Sequence, residues 1–195
     1  PENAGERPLP DRAFRVEEVD GIQGVAARPR ASETTATQSV EMHYLRDRAT
    51  VAYHADLETR IGFAFQHQFQ VPDGFVVDDV LVRRRDEVDH PRWSKNLAGV
   101  LTTFFARPQS GAYTVEIVGW QPVRDEMESK LPAIWLRDGE SEPIAVRLSR
   151  SSEVVVEVLE STGWSKRARA EDLSGLDVAI DTERNEVATY QGDPD

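Results

Sequence analysis

Cysteine is absent from all 195 residues, which excludes disulfides, thiolate metal sites and a cysteine nucleophile. Lysine is nearly absent: Lys95, Lys130 and Lys166 are the only three among 23 basic residues, leaving twenty arginines. No apolar run approaches the roughly 20 residues that a transmembrane helix needs, and no basic-then-apolar leader opens the chain. The phosphate loop GxxxxGK[ST], the GxSxG elbow and the HExxH zinc motif are missing. "GIQG" (21–24) lacks the glycine spacing of a dinucleotide fingerprint. Asn3, Asn96 and Asn185 all lack the third residue of a glycosylation acceptor. The chain starts at Pro1, which fits an initiator methionine trimmed ahead of a small residue and a protein made and kept without export.

What is present is acid. Asp and Glu number 35, the net charge is −12 and the apolar share is 39%. High carboxylate with little lysine is a surface suited to a salt-rich cytoplasm, where carboxylates hold water and ions and salt screens their repulsion. A GC-rich genome would also favour arginine over lysine. The charge argues against direct nucleic-acid binding, which needs a basic footprint. The one basic run, Arg83-Arg84-Arg85, is followed at once by Asp86, Glu87 and Asp89 and reads as a salt-bridged loop.

The length suits one domain. "PENAGERPLPDR" (1–12) holds three prolines and reads as an extended N-terminal arm, ahead of a β domain over 13–182 and a C-terminal tail over 183–195. Short alternating segments follow one another: 13–19, 22–28, 40–45, 49–55, 61–71, 75–82, 97–105, 112–120, 133–136, 143–148 and 153–160, with "LDVAI" and "EVATY" near the end. Asp20-Gly21, Pro72-Asp73-Gly74, "RPQSG" (107–111) and Asp138-Gly139 supply turn chemistry. "FVVDDVLV" (75–82) reads as the hairpin partner of 61–71, "ASETTATQ" (31–38) as a polar lead-in and 83–96 as a charge-dense loop. Residues 121–132 have room for one helical turn, and 165–175 is the one plausible helix. The pattern predicts an all-β fold, a single jelly roll or β-sandwich of roughly eight to ten antiparallel strands.

"IGFAFQHQFQV" (61–71) puts His67 in a row with Ile61, Phe63, Phe65, Phe69 and Val71, and the strict period of two predicts one apolar face. A histidine in such a row reads as a packed core residue or one at a subunit boundary. The other histidines are His43, His54 and His90. No two stand two apart, as a cupin-type site requires, although His43, His54 and His67 on adjacent strands could meet with Glu58 or Glu41 around zinc or iron. "DEVDH" (86–90) could bind a divalent cation through Asp86, Glu87, Asp89 and His90, but lacks EF-hand spacing and reads as solvated. Asp78 and Asp79 are adjacent, so on a strand they face apart and make a poor acid–base pair. Trp93, Trp120, Trp135 and Trp164 sit beside turns or strand ends, as core or interface residues or as a sugar-stacking platform. No residue is assigned as catalytic, cofactor-binding or metal-ligating.

Three functions fit: a structural assembly protein such as a shell subunit, a carbohydrate- or ligand-binding β-sandwich, and a metal-dependent cupin-like enzyme. An all-β, cysteine-free, acidic, arginine-rich chain of this size with an extended arm resembles the smaller major capsid protein of haloarchaeal icosahedral viruses with an internal membrane. The resemblance covers the architecture of the whole chain and rests on no signature motif. It implies an upright single jelly roll without catalysis or cofactor, located in the virion after assembly in the host cytoplasm. The implied partners are further copies of the chain and a second capsid protein, close to an internal viral membrane.

Overall fold

The computed structural model describes residues 32–123, 134–157, 164–167 and 185–192. The expected arm at 1–12, the strands at 13–19 and 22–28, and "LDVAI" lie outside the described residues. Of 121–132, which has room for one helical turn, residues 121 and 122 end a strand and 124–132 lie outside the described residues.

Eleven strands and no helix make up the described residues. They are β1 (Glu33–Tyr44), β2 (Arg48–Gln70), β3 (Val76–Arg84), β4 (Glu87–Asp89), β5 (Arg92–Lys95), β6 (Val100–Pro122), β7 (Trp135–Leu136), β8 (Glu140–Ser141), β9 (Ile144–Arg150), β10 (Trp164–Arg167) and β11 (Asn185–Gly192). The fold is all-β and sandwich-like, as the sequence pattern predicts. The strands belong to one hydrogen-bonded sheet in the order β10-β11-β9-β1-β2-β6-β3-β4, with β5 on β6, β7 on β2 and β8 on β1. Pairing is antiparallel except for β1 with β8 and β9.

Two strands of 23 residues, β2 and β6, form the spine of the sheet. Their pairing runs from Arg48↔Pro122 to Thr59↔Gly111, resumes at Ala64↔Gln109 and continues from Gln66↔Phe104 to Gln70↔Val100. Each strand therefore bulges in turn, first β2 and then β6. Gly62 (φ 74) and Gly111 (φ 68) supply left-handed backbone there, and Pro108, which has no N–H to give a ladder, lies in the β6 bulge. The stretch "RPQSG", expected to be a turn between two strands, is the bend inside one.

The bend folds the pair over. Tyr53 and Phe69 are sixteen positions apart on β2, a span of about 50 Å if fully extended, yet their ring centroids lie 5.6 Å apart. The first half of β2 and the second half of β6, with β1, β3, β9 and β11, make one layer. The second half of β2 and the first half of β6, with β5 and β7, fold across it. Between them lies a core that includes Val40, Met42, Tyr53, Leu57, Phe69, Leu101, Ile117, Ile134 and Leu148.

Several local expectations are corrected. β3 pairs with β6 and β4 rather than with β2, because β6 already occupies that edge of β2. The tight Pro72-Asp73-Gly74 turn does form, with Gly74 at φ 74 and the Phe75 N–H on Pro72 O at 3.2 Å. "ASETTATQ" contributes to β1, where Thr34, Ala36 and Gln38 continue the inward phase of Val40 and Met42. The charged stretch 83–96 contains β4 and β5, while the described part of 153–160 is not strand. Residues 165–167 of the expected helix belong to β10, the rest of it lying outside the described residues. β11, within the expected tail, sits between β9 and β10.

Candidate functional site

Residues 61–71 do not present one apolar face. Phe63 and Phe65 are 57% and 63% exposed, whereas Ala64, His67, Phe69 and Val71 are buried. The bulges between Thr59 and Gln66 shift the inward phase, because each extra residue flips the side chains that follow. Downstream of the bend His67 points inward, packed edge-on against Phe105 (5.5 Å) and Phe69 (6.3 Å) and stacked on Tyr113 at 6.0 Å.

Its two ring nitrogens join the layers. Nδ1 lies 3.1 Å from Asp138 Oδ2, and Asp138 Oδ1 accepts the Gln68 N–H at 3.1 Å. Nε2 lies 2.5 Å from Tyr113 Oη. Tyr113 Oη continues to Thr59 Oγ1 at 3.0 Å, and Thr59 Oγ1 to Thr34 Oγ1 at 2.9 Å. A carboxylate only accepts, so the proton between His67 and Asp138 is assigned to Nδ1. In the neutral ring Nε2 then accepts from Tyr113, Tyr113 from Thr59 and Thr59 from Thr34, so that every hydroxyl points toward the carboxylate. Burial, offset by the Thr59 hydrogen bond and reinforced by the Asp138 charge, pushes the Tyr113 phenol up to about 12, so it stays a donor at neutral pH.

A second polar link lies nearby. Gln38 Oε1 accepts the Tyr53 hydroxyl at 2.6 Å and the Leu136 N–H at 2.7 Å, tying β1 and β2 to β7. Burial, with the Asp138 charge, raises Tyr53 well above the usual phenol value. Gln38 Nε2 has no partner among the described residues.

An aspartate, a histidine and a hydroxyl in series are the parts of an acid–base relay. Here the ring is 1% exposed and its second nitrogen is capped by a buried phenol. With every donor pointing toward Asp138, that carboxylate is the terminal acceptor of the chain, which clamps two layers together. It does not present a free base to a substrate.

The remaining candidates lie apart from it. His43, with Nδ1 3.0 Å from Ser149 Oγ, and His54, with Nε2 3.3 Å from Asp56 Oδ1, take the outward phase of their strands. They do not converge with His67. Glu41 is paired with Arg147 and Glu58 with Arg60. His90 lies 3.3 Å from Asp79, and no group of three His, Asp or Glu comes together among the described residues. Asp78 falls in a bulge of β3 while Asp79 also accepts the Val80 N–H. The tryptophans sit on four strands: Trp93 is exposed on β5, Trp120 lies under Arg48, and Trp135 and Trp164 pack on the core.

Sequence reading singled out His67 but missed Asp138, Tyr113, Thr59 and Thr34. The available signal was polar residues at inward strand phase, Thr34, Gln38 and Thr59, which need partners once buried.

No family model matches the sequence, and no curated protein matches it. Among solved structures the chain is similar to a two-domain M1 zinc metallopeptidase mutant bound to L-tryptophan, at 10% identity and a TM-score of 0.46, covering 84% of this chain and 40% of that one. It is also similar to an M1 zinc metallopeptidase mutant from Deinococcus radiodurans bound to a Tyr-Ser-Ala substrate, at 12% identity and a TM-score of 0.44, covering 83% and 39%. The chain thus spans about two fifths of the length of those proteins.

Proposed function

We propose that this chain is a non-catalytic assembly subunit, a β-sandwich that works by associating with copies of itself and with a second protein. One observation carries the reading: a strand edge that has no partner among the described residues, flanked by exposed aromatic rings. β1 pairs with β2 only as far as Glu33↔Ile61, and β7 takes up the same side of β2 at Phe69 and Gln70. Among the described residues no strand pairs with 62–66 on that side, and Phe63 and Phe65 stand there more than half exposed. Unpaired backbone beside large apolar side chains is the usual form of a strand-addition or packing surface. Phe104, opposite Gln66, extends the patch and is also exposed.

In its sharper form the proposal is a viral shell subunit, assembling with itself and a second capsid protein above an internal membrane. That form draws on the composition and the capsid-like architecture of the sequence. The test is electron microscopy and sedimentation of the purified protein in molar salt. Large assemblies are expected for the native chain and none for F63S/F65S. A native protein that stays monomeric at high concentration and in molar salt overturns the reading.

A further inference from the structure

The outward face of the sheet carries two grooves that meet on β2 and β6. One, of about 620 Å³, is lined by Arg83, Arg84 and Arg85 on the β3 side, with Ser110, Gly111 and Thr114 of β6. The other, of about 530 Å³, lies toward β1 and β8, and its charged lining is Asp56, Glu58, Glu140 and Glu142 against the single Arg60. Asp56, Leu57 and Ala112 line both. Positive and negative sides therefore flank one shared wall.

Among the described residues the charges on both sides are only partly neutralised. Glu116 holds Arg83 through Nε–Oε1 at 2.7 Å and Nη2–Oε2 at 3.4 Å. Arg84 and Arg85 are exposed, and among the described residues neither forms an ion pair with Asp86, Glu87 or Asp89, the neighbours expected from the sequence to neutralise them. Arg85 holds φ 55 in the tight β3–β4 turn, a conformation where Asn or Gly is usual. Across the wall Arg60 pairs with Glu58, while Glu140 and Glu142 are exposed and without an ion pair among the described residues. On a chain of net charge −12, two adjacent arginines without an ion pair among the described residues stand out.

We infer that this face docks a second copy of the chain about a two-fold axis at the shared wall, the arginine groove of each copy against the acidic groove of the other. A two-fold contact needs a self-complementary patch, and opposite charges on either side of the axis supply one twice over. On the shared wall Ala112 is small and allows close approach, and the Asp56 carboxylate is held by the Thr114 hydroxyl at 2.9 Å and lies 3.3 Å from His54 Nε2. A free dianion would use the arginines and leave the acidic groove idle. A nucleic-acid strand would be repelled by that groove. A second copy satisfies both. The inference rests on the assembly reading for its role and names one contact within it.

The test is sedimentation velocity at about 0.1 M salt, where a Debye length of about 10 Å damps whole-chain repulsion but spares charges in contact. The native chain is expected to show a monomer–dimer equilibrium that weakens at about 1 M salt. R84E/R85E and E140K/E142K should each dimerise at least about tenfold more weakly, a change of about 1.4 kcal/mol, with unchanged circular dichroism. The uncharged R84Q/R85Q variant should also weaken it. An equimolar mixture of the two charge-reversed variants should recover a heterodimer. Failure of the mixture to recover, or a dimer indifferent to all three variants, overturns the inference. So does a monomer that binds inorganic phosphate stoichiometrically without dimerising. F63S/F65S should keep this dimer while losing the large assemblies, so the two readings fail separately.

Discussion

Tyr113 Oη lies 2.5 Å from His67 Nε2, and the two residues belong to opposite layers of a sheet that has folded onto itself. Tyr113 stands on the first layer beside Leu57, and His67 on the second beside Thr103. Removing the phenol oxygen leaves a buried ring nitrogen and the Thr59 hydroxyl each short of a partner. Tyr113→Phe should therefore destabilise by about 1–3 kcal/mol in urea unfolding. His67→Phe should do the same. The double variant should lose less than the two single losses combined, because each removes the same bond, with a coupling of about 0.5–3 kcal/mol. Additive losses would show that the chain does not act as a unit.

The parts of this arrangement that were legible in the sequence are those set by local pattern. Alternation in 40–45, 49–55 and 112–120 showed strands, and Pro72-Asp73-Gly74 showed a turn, because period and turn chemistry act within a few residues. The bend was not legible. Gly62 and Gly111 each look ordinary in sequence, and only the long-range register of β2 on β6, which skips from Thr59↔Gly111 to Ala64↔Gln109, makes the strands bulge there and separates the faces of Phe63 and His67. Asp138 read as turn chemistry alone. It lies 71 positions from His67, and no local rule connects them.

The second prediction concerns alkali. The phenol of Tyr113 ionises near 10 when unfolded and is pushed up to about 12 in the fold, chiefly by burial. Its folded value is the higher one, so its stabilising effect is fully present below pH 10 and is lost as pH rises through about 12. One unit corresponds to about 1.4 kcal/mol, so the shift of about two units at Tyr113 accounts for at most about 3 kcal/mol, lost as pH rises from about 10 through about 12. Tyr53, also raised by burial, acts in the same direction. Unfolding free energy measured from pH 8 to 12 should fall with pH, and less steeply in Y113F. Parallel slopes for the two proteins would remove Tyr113 from the account.

Two glycines on β6 should respond differently to alanine. A Cβ at Gly119 would meet the Val76 carbonyl oxygen and, at 2.6 Å, the buried Phe75 ring. The carbonyl is backbone and cannot swing aside, so Gly119→Ala should cost about 1–3 kcal/mol through overpacking. Gly111 has open space around its Cβ position but holds φ +68, so Gly111→Ala carries only the left-handed penalty, about 1–2 kcal/mol. Gly119→Ala should lower the melting temperature at least as far as Gly111→Ala, and pairing it with Phe75→Leu should recover only part of the loss. A Gly119→Ala protein as stable as the native chain would show that Phe75 does not sit against β6 as described.

The last prediction is set by the whole charge distribution. Acidic residues exceed basic ones by 35 to 23, and the described ion pairs are mostly exposed, such as Arg48–Asp47 and Arg60–Glu58. Exposed pairs contribute at most about 1 kcal/mol each, so their loss to screening is small. The repulsion among the unpaired carboxylates acts over longer distances and in one direction only. At low salt the Debye length reaches about 30 Å and the repulsion spans the domain, whereas at about 1 M it falls to about 3 Å. Salt should therefore remove more repulsion than attraction, and the melting temperature should rise steadily from dilute buffer to about 1 M KCl. Replacing KCl by an equal osmolality of sucrose separates this from general exclusion effects, which would raise stability in both. A melting temperature unchanged by KCl, or raised equally by sucrose, would mean that the negative charge is already balanced in the fold and that the acidic composition is not an adaptation to salt.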